Sequence, residues 1–97
     1  MASEQHLKIL SQGVDVWNKW REDNPYLTPD LMNISLVGYN LEGADFHRSE
    51  LNWTDLSNTD LKNANLSEAD LKNAIIIGSD LEGATLHRAT LGYTTFA

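Results

Sequence analysis

The chain has no cysteine, which excludes a disulfide framework, a thiol nucleophile and any cysteine-based zinc or iron–sulfur site. Proline is nearly absent: Pro25 and Pro29 are the only 2, and both fall in one short stretch. Basic residues are scarce, with 7 Lys and Arg against 14 Asp and Glu and a net charge of −7. That balance disfavours nucleic acid and anionic membrane as partners, since both reward Lys and Arg. The deficit runs through the whole chain, −2 over residues 1–30 and −5 over residues 31–97. No apolar run approaches the length of a membrane span, and the polar opening Met1-Ala2-Ser3-Glu4-Gln5-His6 has no leader character. The sequence therefore reads as a soluble, cytoplasmic protein. Phosphate-loop and dinucleotide fingerprints are also missing.

What the chain does have is a period. From Leu31 onward a large apolar residue occupies every fifth position: Leu36, Leu41, Phe46, Leu51, Leu56, Leu61, Leu66, Leu71, Ile76, Leu81, Leu86, Leu91 and Phe96. Two residues before these, from Ala44 to Thr94, stands a small residue. In an α-helix, positions five apart are rotated by about 140°, so the leucines would wind around every side. In a straight strand an odd spacing alternates faces. The pattern suits short extended pieces in which the small residue and the leucine share one face, each followed by a corner. With right-angle corners, four pentapeptides close a coil of twenty residues, and coils stack about 4.8 Å apart. Gly38, Gly43, Asn58, Asn63, Asn73, Gly78 and Gly83 recur two residues after the apolar one, where a type II turn needs positive φ.

Segments such as Ala64-Asn65-Leu66-Ser67-Glu68, Ala69-Asp70-Leu71-Lys72-Asn73 and Gly83-Ala84-Thr85-Leu86 resemble the A(D/N)LxX unit of the pentapeptide repeat proteins. The resemblance spans roughly residues 31–97. It implies an all-β solenoid, a right-handed quadrilateral β-helix. Ile34 and Tyr39 depart from it at the small position, and Ile75 replaces the usual polar residue.

Residues 4 to about 23 read as one amphipathic helix, with Ser3 as N-cap and Asn24-Pro25 as stop. Its apolar face, including Leu10, Val14, Trp17 and Trp20, is expected to cap the open mouth of the first coil. The division is then residues 1–30 as capping helix and linker and residues 31–97 as β-helix, within one structural domain.

Few constellations could carry chemistry. His47 and His87 fall in one column but a whole coil apart, roughly 10 Å, too far to share a metal. Asp60 with Asp80, and Glu50 with Asp70, stack about 5 Å apart, but a convex wall offers no pocket to desolvate an acid. Neither a cofactor nor a metal site is expected, and the chain reads as a non-enzyme. The charged columns Glu42, Lys62, Glu82 and Arg48, Glu68, Arg88 alternate in sign and read as devices that set the stacking register. The expected function is a protein–protein interaction or assembly module. The alternative, drawn from the resemblance, is an acidic DNA mimic that binds a type II topoisomerase such as DNA gyrase. A rod of about 17 Å matches only about five base pairs, and four basic residues interrupt its acidic walls. The candidate interface is the wall bearing Val37, Trp53, Ile75, Ile77 and Tyr93, with Phe96 and Ala97 of the last coil. Its expected occupant is a second copy or another pentapeptide-repeat chain meeting the C-terminal coil.

Overall fold

The computed structural model describes residues 2–97. Its organising feature is a ladder of parallel bridges between residues twenty apart. Asp30 pairs with Glu50, Ser35 with Asp55, Asn40 with Asp60 and Asp45 with Asn65, and the same columns continue downward to Thr90. Each rung has two hydrogen bonds: Phe46 N–H donates to Asn65 O at 2.8 Å, and Asn65 N–H donates to Ala44 O at 2.9 Å. Because a corner follows every rung, regular strand is confined to β1 (Ile75–Ile76) and β2 (Thr95–Phe96), which pair in parallel. The described chain measures 34 × 23 × 23 Å.

The corners explain the five-residue unit. Ala44 N–H donates to Leu41 O at 3.0 Å, and the same bond recurs between Ser49 and Phe46, Ala64 and Leu61, and Ala69 and Leu66. The residue two after each apolar one has positive φ. Gly43 is at 73°, and so, near 60°, are Arg48, Trp53, Glu68, Arg88 and Tyr93, which composition does not mark as corner residues. At two corners an added Cβ would also crowd the coil above, on Gly78 against the Asn58 Oδ1 and on Gly83 against the Asn63 Oδ1, so that side-chain amide would have to turn aside.

The polar residue before each apolar one has a local task as well. Asp45 Oδ1 accepts from His47 N–H at 3.0 Å, and Asp55, Asp60, Asn65, Asp70 and Asp80 repeat the bond two residues on. This Asx turn stabilises the bend into the corner. Ile75 cannot make it. The chain there stays extended as β1, and no turn bond closes between Ile76 and Ser79 among the described residues. Inside, Leu31 through Leu71 of the apolar series are fully buried, together with Ala44, Ala64, Ala69 and Ala74.

The single helix expected over residues 4–23 is corrected to two, α1 (Glu4–Ser11) and α2 (Val14–Asp23). Gly13, at φ 108°, cannot continue a right-handed helix, and its carbonyl instead accepts from Trp17 N–H to start α2. Ser3 caps α1, its side chain accepting from His6 N–H at 3.2 Å. The linker Pro25–Asp30 then leads into the first rung.

Candidate functional site

Three surfaces carry functional groups. The first lies where the helices meet the first coil. Leu10 and Trp17 are buried in the common core, with Val14 and Trp20 packed against it. The Trp17 ring stands 5.8 Å from Phe46 and 5.1 Å from Trp20. Polar contacts here follow the ladder's own pattern. One coil down, Asn65 N–H, Asn65 O and Ser67 O are all taken by the coil above. The first-coil counterparts are Asp45 N–H, Asp45 O and His47 O, and α2 supplies a side chain for each. Asn18 Oδ1 accepts from Asp45 N–H at 2.8 Å, Trp17 Nε1 donates to Asp45 O at 2.8 Å, and Arg21 Nη2 donates to His47 O. Asn18 Nδ2 also donates to Gly43 O at 3.0 Å. On the Asp30 column, His6 Nδ1 accepts from Asp30 N–H at 3.0 Å, and Ser3 N–H donates to Asp30 O at 2.9 Å. Sequence reasoning named only apolar residues for the cap and missed this polar set. Its partners are backbone atoms about 25 residues away, which leave no signature in side-chain type.

The second surface is the expected apolar wall. Val37, Trp53, Ile75, Ile77, Tyr93, Phe96 and Ala97 are all solvent-exposed. Trp53 and Tyr93 share one corner column with Asn33 and Asn73 and are 63% and 89% exposed. In the last coil Leu91 is exposed and Leu81 and Leu86 are half-buried, since no further coil covers them among the described residues. Tyr26 and Leu27 on the linker are exposed too, and sequence reasoning passed over them.

The third surface is charged. Of the two alternating columns, Lys62 Nζ reaches Glu42 at 3.9 Å and Arg48 Nε reaches Glu68 at 3.2 Å, while among the described residues Glu82 and Arg88 make no such pair. Glu68 also takes His47 Nε2 at 3.0 Å, a diagonal contact that column-by-column reading does not show. That hydrogen bond from His47, then the bond and charge of Arg48, hold the Glu68 carboxyl below its ordinary value. Lys62 is raised by the charge of Asp60 first and Glu42 second. Arg21 is lowered by burial, against the opposing charge of Asp45. The acid columns Asp60/Asp80 and Glu50/Asp70 form as rungs, with Asp60, Asp70 and Asp80 engaged in their Asx bonds. Among the described residues no group of three or more His, Asp and Glu side chains could hold a metal ion, and no helix is long and apolar enough to cross a membrane.

Two hollows accompany these surfaces. One, of about 420 Å³, is lined by Gly13, Val14, Asp15, Asn40 and Glu42 and is wide open. The other, of about 140 Å³, is more enclosed and lies between the linker and the His47-Arg48 corner.

A ladder of parallel rungs at a constant twenty-residue interval, with one large apolar residue in each five-residue unit, defines a repeat protein. The family model for pentapeptide repeats matches residues 30–63 and 64–96 in 8 copies, so the chain belongs to the pentapeptide repeat family. Membership points to a non-enzymatic repeat protein. No curated protein matches the chain significantly.

Proposed function

We propose that the chain is a non-catalytic interaction or assembly module whose four columns are the walls of a right-handed quadrilateral β-helix. Support for the architecture comes from the family match, the twenty-residue bridge spacing and the positive-φ corners. The observation that carries the function is the pair Trp53 and Tyr93. Both are large aromatics held at positive φ, at 60° and 59°, where a bulky side chain is strained, and both are left in water. Exposed aromatics beside Val37, Ile75 and Ile77 suit a protein contact, because Trp and Tyr contribute most to interface energies. The occupant is a second copy or another pentapeptide-repeat chain, meeting this wall and the coil that carries Leu91, Phe96 and Ala97.

The test is the solution mass of the wild type against the triple variant Ile75→Glu, Ile77→Lys and Tyr93→Ser. All three side chains are exposed, so the fold should persist while the assembly mass falls. A wild type that is monomeric at high concentration, with a wall that no partner protects from hydrogen exchange, overturns the proposal.

A further inference from the structure

The first coil is covered on two sides and open on the other two. One coil down, Asp55 N–H donates to Ile34 O, while Asp55 O and Ser57 O accept from the Leu36 and Gly38 amides. Asp60 N–H likewise donates to Tyr39 O, and Asp60 O and Lys62 O accept from the Leu41 and Gly43 amides. In the first coil the helical segment serves only Asp30, through His6 and Ser3, and the Asp45 side, through Asn18, Trp17 and Arg21. The counterparts between them are left over. Ser35 N–H and O, Val37 O, Asn40 N–H and O, and Glu42 O have no hydrogen-bond partner among the described residues. Ser35, Val37, Asn40 and Glu42 are exposed, whereas Asp30 and Asp45 are half-buried.

This open edge has apolar neighbours and an acidic flank. Ile34 and Tyr39 stand where later coils put small residues, and both pack on the core while remaining half-buried. Beside the Asn40 rung, the hollow of about 420 Å³ is lined by Gly13, Val14, Asp15, Asn40 and Glu42, two carboxylates with no basic residue. Among the described residues Asp15 makes no ion pair, and Glu42 meets only Lys62, at 3.9 Å.

We infer that the edge over residues 35–42 takes up an extended peptide segment of another protein, bearing Lys or Arg, which bends once over the Gly38 corner and places a cation between Asp15 and Glu42. An unprotected edge is a template for main-chain pairing, with neighbouring pockets setting which side chains are accepted. Carbonyls of the segment accept from the Ser35 and Asn40 amides, and its own amides donate to the four free carbonyls. Charge selects the occupant. A second copy, also at net charge −7, would bring further acid against Asp15 and Glu42, whereas a cationic segment complements them. The edge lies at the helical end of the ladder, away from the last coil, and shares only Val37 with the apolar wall. The inference thus goes beyond the assembly role.

The experiment follows amide hydrogen exchange of the full chain at constant ionic strength, with acetyl-Thr-Val-Lys-Thr-Gly-Thr-Val-Lys-Thr-amide as probe. One control peptide has Glu for Lys. The other keeps Lys but has alternate backbone nitrogens methylated, which preserves charge and removes donors. The Lys peptide should bind saturably and slow exchange at the Ser35 and Asn40 amides, and neither control should. Ser35→Pro with Asn40→Pro removes two N–H donors that no rung uses and gives up only each side chain's bond two residues on. It should weaken the apparent Kd about tenfold or more. Asp15→Asn with Glu42→Gln, which leaves the backbone edge untouched, should weaken it about threefold or more and carries the test if the prolines disturb the fold. The inference is overturned if the methylated peptide binds equally, if affinity survives the Asp15 and Glu42 replacements, or if protection falls on the apolar wall or last coil instead. Absence of saturable binding at millimolar peptide also overturns it. Protection of Ser35 and Asn40 that rises with protein concentration without peptide would make a second copy the occupant and overturn it too.

Discussion

Individual residues in this protein are constrained mostly by their phase within the five-residue unit. Leu66 is fully buried, and its N–H donates to Thr85 O at 2.7 Å in the coil below. Leu66→Ala should therefore open a cavity in a stacked column and cost about 2–5 kcal/mol in a denaturant titration. A loss under about 0.5 kcal/mol would argue that the site collapses freely. Glu68 sets a pH dependence. Its carboxyl lies below the ordinary value of 4.5 in the folded chain, so the folded state is favoured by its ionised form above that value. The advantage is lost as pH falls through the depressed folded value. Glu68→Gln should accordingly be less stable than the wild type at neutral pH and converge with it in acid, as read from midpoints at a series of pH values. The inward phase of Leu66 was legible in the sequence because nothing interrupts the apolar register. The strained corners at Arg48, Trp53, Glu68 and Tyr93 were not, since only Gly and Asn announce positive φ by type.

At the level of elements, α2 completes a hydrogen-bonding edge with side chains where a coil would use backbone. Asn18 is its most economical member, accepting from Asp45 N–H and donating to Gly43 O. Asn18→Ala should remove both bonds, and with water able to reach these half-exposed backbone groups it should cost about 0.5–1.5 kcal/mol of folding stability. Asn18→Asp, which keeps the acceptor and loses the donor, should fall between the two in the same measurement. The break between α1 and α2 escaped sequence reading for a physical reason. Leu10, Val14 and Trp17 keep helical spacing on the packed face across Gly13, so periodicity persists while the backbone turns. A lone glycine was the available signal.

At the scale of the molecule, each coil touches only its neighbours, so protection should follow position in the stack. The Leu66 amide has an acceptor below it, whereas the Leu86 amide, in the same phase one coil later, has none among the described residues. Hydrogen exchange at Leu66 should be slower by orders of magnitude in dilute solution. If copies associate through the last coil, the Leu86 amide should gain protection as concentration rises. Similar rates at the two amides in dilute monomer would mean that the chain opens as one unit.

The constant interval between rungs has a consequence for how such a chain can change in length. Every bridge spans twenty residues, and four columns share them in turn. Duplicating one whole turn of sequence between Asn58 and Ile77 would lengthen the molecule and leave each face aligned with itself. Inserting a single pentapeptide would instead act like one click of a dial, rotating everything beyond it by one side and parting Tyr93 from the line of Trp53. Evolutionary tinkering in this architecture is thus quantised: full turns conserve the pattern displayed to a partner, and fractional turns scramble it.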